Sequence, residues 1–279
     1  MRFEQISIIG IGLIGGSLGL AAHTRGLARQ IVGIDCDEAT LHAALARGAI
    51  SRGTTDLADG VRQAQLVIVC TPVDRIVDTL CAAFAHAGPV LYTDVGSVKR
   101  GLAEAVEAQR PTGATYLPAH PLAGAEKSGV AHARADLFAQ RVTVVTPRGP
   151  ERTPEEQTII RFWEALGAQV VAMDAEEHDR IMAFTSHLPH AVASAVAAIT
   201  PRAWLPLSAG GFRDSTRIAA ADPRLWAAIL QANRQPVRTA LDTLIHRLTQ
   251  FRQLLETGDS TGLEQWLLEG KQVRDALGT

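Results

Sequence analysis

The sequence predicts an α/β domain built on a parallel sheet, followed by an all-α domain. Three observations carry this expectation. Through residue 172, short β-rich runs alternate with amphipathic helical stretches; the first run ends directly in a glycine pattern; and beyond Met173 strand signals stop while long helical patterns continue. Alternation of this kind implies right-handed βαβ crossovers and a sheet covered by helices on both faces. The 279 residues suffice for two ordinary domains, and the seam is expected between 172 and 173, giving domains 1–172 and 173–279.

Element by element, residues 6–10, 31–34, 66–70, 90–92, 115–117, 142–145 and 169–172 read as strands, because branched apolar residues fill them. Between them, residues 13–24, 38–46, 73–86, 98–109 and 154–166 read as helices. The second half reads as helices over 174–200, 223–255 and 260–277, with Pro201, Pro206 and the adjacent Gly210 and Gly211 as breakers. Residues 181–201 contain no Asp, Glu, Lys or Arg, but they do contain Ser186, His187, Pro189 and His190, which hydrocarbon tolerates poorly. A buried helix is expected there, not a membrane span. Helices this long and apolar commonly bury a face against a second copy, so a homodimer is expected over a monomeric helical cap.

Composition narrows the function. Lys plus Arg number 27 against 29 Asp plus Glu, so the chain lacks the basic excess of a nucleic-acid or membrane-surface binder. Hydrophobic residues at 47% are too abundant for disorder. Cys36, Cys70 and Cys81 are too scattered for a disulfide framework or a metal site, and Cys70, inside an apolar run, reads as a small buried hydrophobe. The start MRFEQISIIG carries Glu4 and lacks a signal peptide's apolar region. A cytoplasmic protein without metal is expected.

The first strand runs into GIGLIG. Gly10 permits a tight turn, Gly12 lets backbone approach a pyrophosphate, and Gly15 allows close helix–strand packing. The helix opening at Leu13 and Ile14 points its first amides at that pyrophosphate. By itself the pattern is weak and also serves FAD and S-adenosylmethionine. Here the second strand, IVGID, ends in Asp35, twenty residues beyond Gly15. A carboxylate there accepts hydrogen bonds from both ribose hydroxyls and repels a 2′-phosphate. The residues that follow are Cys36, Asp37 and Glu38 rather than a cation, which favours NAD over NADP in a Rossmann-type domain. The less favoured alternative is that Asp35 only caps the helix before Glu38. Thr71, at the end of the next long strand, faces the same crevice as a cofactor contact or as part of a simple turn.

Four further blocks hold more polar chemistry than folding demands: DVGSVK (94–99), HPLAGAEKSG (120–129), SHLPH (186–190) and GGFRDSTRIA (210–219). Alone, each is more often structural; Ser97, for example, suits a helix N-cap. His120, between Pro118 and Pro121, reads as a loop histidine. Together the blocks supply imidazoles, a hydroxyl and guanidiniums, a set suited to a carboxylate substrate whose hydroxyl must lose a proton.

In this order behind GIGLIG, the blocks resemble the prephenate dehydrogenase family of tyrosine biosynthesis, from about Phe3 to Asn233. The resemblance implies a Rossmann domain followed by a helical dimerisation domain. It also implies oxidative decarboxylation of prephenate by NAD+ to 4-hydroxyphenylpyruvate. On the same grounds His120 is the expected base, and Ser97 is expected to hydrogen-bond the same substrate hydroxyl or to orient His120. Arg217 is expected to hold a carboxylate, with His190, Glu126 and Arg213 as further substrate contacts. The presence of His190 and Glu126 leans the reading to prephenate, with arogenate or dual use as the alternative; Ala125 stands where some members carry a hydroxyl. Lys99 and Lys127 have no assigned role. β-Hydroxyacid dehydrogenases share the architecture, but many use a lysine early in the helical domain, and none occurs here between Lys127 and Lys271. A non-catalytic NAD-binding sensor needs neither His120 nor Arg217.

Overall fold

The computed structural model describes residues 2–124 and 127–278. The chain begins β1 (Phe3–Ile9), α1 (Leu13–Thr24), β2 (Ala28–Ile34), α2 (Glu38–Ala46), β3 (Arg52–Thr54), α3 (Leu57–Val61) and β4 (Leu66–Val69). It continues with α4 (Ile76–Ala87), β5 (Leu91–Asp94), α5 (Arg100–Glu107) and β6 (Thr115–Tyr116). These six strands form one sheet in the order β3-β2-β1-β4-β5-β6, parallel throughout. The order reverses between β1 and β4, which opens a crevice beyond their C-terminal ends, where such sheets bind ligands. The short β3 and α3 carry too few apolar residues to stand out in sequence.

Side chains along the central strands alternate between two cores. Ile6, Ile8, Leu66 and Ile68 face one, with Leu18, Phe162 and Trp163; Ile9, Val67 and Val69 face the other, with Val32, Leu80 and Tyr92. Burial on both faces is what a parallel sheet with helices on each side requires.

Two runs expected in this sheet lie elsewhere. β7 (Ala119–Pro121), β8 (Val142–Val145) and β9 (Gln169–Ala172), the last two flanking α6 (Pro154–Ala165), form a separate three-stranded sheet with β7 antiparallel to β8. Pro118 explains the transfer. Leu117 N still donates to Tyr92 O on the first sheet, but Pro118 has no N–H to continue that ladder, and its carbonyl accepts Thr146 N beside the second sheet. His120 is therefore on a strand, opposite Val144, not in a loop. As an edge strand β7 accommodates its proline.

The following helices are α7 (Ala175–Met182), a π turn (Ala183–His187), α8 (Leu188–Ile199), α9 (Gly210–Thr216) and α10 (Pro223–Ala232). Ile229 of α10 is buried in the second core, with Trp226 and Ala228 packed against it. The chain thus divides by packing into compact units 1–233 and 234–279, and the expected seam at 172/173 falls within the first, at the end of β9. The pattern expected to form one helix over 223–255 breaks at Asn233, whose side chain turns into the first unit. The apolar stretch expected to be a buried helix is one-sided: His187, His190 and Ala193 are buried, whereas Phe184 is 43% and Ile199 79% exposed. By length and apolarity alone, Ala175–Ile199 could cross a membrane.

The second unit is a helical hairpin of α11 (Arg234–Thr257) and α12 (Ser260–Asp275). Phe251 packs on Trp266 with centroids 4.9 Å apart, and Arg247 lies over the same indole while pairing with Glu269 at 2.9 Å.

Candidate active site

At the C-terminal end of β1, Gly10 adopts φ +91°, and a Cβ there would lie 2.8 Å from Cys70 O. A Cβ on Gly15 would sit 2.0 Å from Gly10 O, so α1 approaches the loop as closely as backbone allows. Gly12 differs: a Cβ would meet nothing within 4 Å, and Gly12 caps α1 without a side-chain hydrogen bond or an acidic residue in the first turn. The amides at Leu13 and Ile14 thus open a bare, positive helix end onto free space. Asp35 closes the loop from β2. Its Oδ2 accepts Ile11 N at 2.8 Å and its Oδ1 accepts Asp37 N at 3.1 Å, leaving acceptor capacity on both oxygens. The Thr71 hydroxyl is buried and has no hydrogen-bond partner among the described residues. Cys70 beside it is inert, its thiol pushed up by burial and by the nearby Asp94 charge. A bare helix end, a carboxylate at the second strand and an orphaned hydroxyl fit a dinucleotide.

Beyond β5 lies a chain of polar groups that starts from Asp179 of α7. Its Oδ1 accepts Lys99 N at 2.7 Å and its Oδ2 accepts Arg100 N at 3.0 Å, capping α5 in place of a side chain of that helix's own. Oδ1 also meets His178 Nδ1 at 2.8 Å. A carboxylate only accepts, so His178 carries its proton on Nδ1 and presents a bare Nε2. That Nε2 meets His120 Nδ1 at 2.9 Å, so His120 donates through Nδ1 and its own Nε2 is the bare, basic nitrogen. Burial holds the His120 imidazole well below the ordinary histidine range, with His178, Lys99 and His187 adding to the effect. His120 is therefore neutral at physiological pH, as a general base must be.

Asn233 extends the network. Its Nδ2 donates to Asp179 O at 2.8 Å and lies 3.0 Å from His187 Nδ1. Burial brings His187 down to about 4. His187 meets the Trp226 ring edge-on, and His190 stacks on the same indole with centroids 3.6 Å apart. His190 Nε2 is buried and has no hydrogen-bond partner among the described residues. Burial lowers this imidazole too, against a backbone hydrogen bond with Ile218 that raises it.

His190 opens onto a cavity of about 780 Å³ lined also by Lys127, His132, Arg217 and Trp226. Two cations, Lys127 and Arg217, two imidazoles and the Trp226 indole suit an anionic ring compound. The structure thus brings His190, Arg217 and Lys127 to one cavity and joins His120 to His190 through His178, Asp179, Asn233, His187 and Trp226. Arg213, on α9, is exposed and does not line the cavity. Glu126, with Ala125, lies outside the described residues. Ser97 is half-buried and, among the described residues, makes no hydrogen bond to His120; His178 takes the orienting place that sequence had offered to Ser97. Sequence reasoning missed His178, Asp179 and Asn233. The one available signal was an adjacent His–Asp pair inside a helix, on the face that also buries Met182.

Residues 18–172 match the family description "prephenate dehydrogenase, nucleotide-binding domain", and residues 174–269 match "prephenate dehydrogenase, dimerization domain". Prephenate dehydrogenase of Bacillus subtilis is 33% identical over 98% of this chain and 76% of its own. Cyclohexadienyl dehydrogenase of Zymomonas mobilis is 34% identical over 99% of this chain and 97% of its own. The solved prephenate dehydrogenase of A. aeolicus, in complex with hydroxyphenyl propionate and NAD+, superposes with a TM-score of 0.92 at 28% identity, covering 99% of both chains. With both halves matched and relatives spanning nearly its whole length, the chain belongs to the prephenate dehydrogenase family.

Proposed function

We propose that this protein oxidises prephenate with NAD+, giving 4-hydroxyphenylpyruvate, CO2 and NADH. The observation that carries the reading is the Asp179–His178–His120 chain, which leaves one neutral imidazole nitrogen bare at the C-terminal edge of a dinucleotide-type sheet. The bound NAD+ and hydroxyphenyl propionate of the A. aeolicus relative support both ligand classes.

Leu13 and Ile14 amides hold the pyrophosphate, Asp35 the adenosine ribose, and Gly10, Gly12 and Gly15 give the backbone its approach; Thr71 donates its unpartnered hydroxyl to the same ligand. When bound, the nicotinamide supplies the hydride acceptor. His120 Nε2 takes the proton of the ring C4 hydroxyl as that carbon becomes carbonyl-like, and returns it to the phenolic oxygen once CO2 has left. His178 fixes the tautomer and steadies the imidazolium while it lasts. Ser97 donates to the same substrate oxygen. Arg217 holds a carboxylate and His190 contacts the side-chain keto group. Aromatisation drives the reaction; the protein positions the reactants and keeps the base neutral.

The helical segment 173–279 is proposed as the substrate and dimerisation half of a cytoplasmic homodimer. Purified protein given prephenate and NAD+ produces absorbance at the NADH band, and His120→Ala lowers kcat by about 10²-fold or more while NAD+ affinity stays unchanged. No NADH from prephenate or arogenate, despite NAD+ binding, overturns the reading in favour of a sensor.

A further inference from the structure

One buried charge has no part in the chemistry above. Lys99 is wholly buried, and its Nζ bonds Asp94 Oδ1 and the Ala119 carbonyl, the latter at 2.8 Å. Asp94 also accepts Gly96 N at 2.7 Å and the Tyr116 hydroxyl at 2.7 Å. An ammonium, a backbone amide and a phenol thus converge on one carboxylate. Burial moves Lys99 below the ordinary lysine range, opposed by Asp94 and, at longer reach, Asp179. A buried ion pair is seldom kept for stability, because hydrophobic residues of similar volume serve as well or better. Its position suggests another use: Asp94 ends β5 in the first sheet, and Ala119 begins β7 in the second, one residue before His120.

We propose that Lys99 is a positioning residue for the base: it ties the strand carrying His120 to the C-terminal edge of the dinucleotide sheet and keeps a positive charge beside that imidazole. The inference rests on the proposed prephenate oxidation only for its kinetic readout. Among the described residues, the charged and titratable groups around His120 are His178 and Asp179 on α7, His187 at the π turn, and Lys99 with Asp94 beside β5. Of these, Lys99 is the one fixed cation, so its removal stabilises the imidazolium.

Two variants test this, Lys99→Met and the neutral pair Asp94→Asn/Lys99→Gln, the second retaining donors and acceptors without buried charge. The His120 imidazole is followed by NMR titration of cofactor-free protein, its signal assigned by loss in His120→Asn. In Lys99→Met its midpoint rises by about one pH unit, in the neutral pair it rises by less because the Asp94 charge goes too, and the acidic limb of the kcat/KM profile moves up with it. A midpoint unmoved in the folded variants overturns the proposal. A neutral pair that cannot fold also overturns it, by assigning the ion pair to stability alone. Wild-type protein inactive on prephenate fails the functional reading instead and leaves the titration to decide this one.

Discussion

His178 shows how one residue governs another's chemistry. Its ring is fully buried and spends both nitrogens on hydrogen bonds, one to a carboxylate and one to the base. His178→Phe keeps an aromatic ring at the site and removes both bonds. In steady-state assays kcat is expected to fall by at least about tenfold, since a misoriented base forfeits part of its contribution, while KM for NAD+ stays constant. His187 gives a stability prediction. Its native value of about 4 lies below the ordinary 6.5, so the unfolded chain binds the extra proton first as pH falls. Its contribution is complete above pH 6.5 and drains away between about 6.5 and 4, to a maximum of about 3 kcal/mol. Denaturation followed across that window is expected to be steeper in wild type than in His187→Gln. At this scale the sequence exposed His120, His190 and Arg217 as candidates because each stands in a polar block. The significance of His178 was illegible, for its bond to His120 spans 58 positions and depends on which face of α7 turns inward.

Among elements, the glycine loop and α1 form one device whose parts respond differently to the same change. Gly15→Ala places a methyl 2.0 Å from Gly10 O, where backbone must move. That variant is expected to lose thermal stability and NAD+ affinity together, read by melting temperature and calorimetric titration. Gly12→Ala meets nothing within 4 Å, so its melting temperature is expected to stay near wild type while NAD+ affinity falls, the methyl occupying space the pyrophosphate needs. Equal loss of stability in both variants would reduce the loop to a packing feature. The βαβ frame was legible from periodicity because both sheet faces are buried and the strand runs are nearly continuous in apolar residues. The second sheet was not. Periodicity reports that residues 142–145 and 169–172 are strands but carries no information on which neighbour they pair with, and the diversion depends on the missing N–H of Pro118. The break at Asn233 escaped for a related reason, since an amide that turns inward to serve Asp179 and His187 does not interrupt an amphipathic pattern.

For the whole molecule, the apolar surface left over by the single chain is the remaining guide. Ile199 at 79% and Leu207 at 85% exposure lie in a segment that matches a dimerization domain, and Trp204 and Leu205 stand between them, also exposed. Surface of this kind in water carries a cost of roughly 25 cal/mol per Å² that a second copy would remove. Light scattering coupled to size exclusion is expected to give twice the 29.7 kDa chain mass for the wild type. Ile199→Glu combined with Leu207→Glu is expected to shift the protein toward monomer, because burying two like charges against a symmetric partner brings them close to their own copies. Activity measured on the same fractions then separates two roles for association. If the monomer keeps kcat and KM, the dimer serves stability; if KM for prephenate rises while NAD+ binding holds, the cavity beside His190 and Arg217 depends on the second copy for its shape. A double variant that remains dimeric would place the contact on another apolar face of the helical segment.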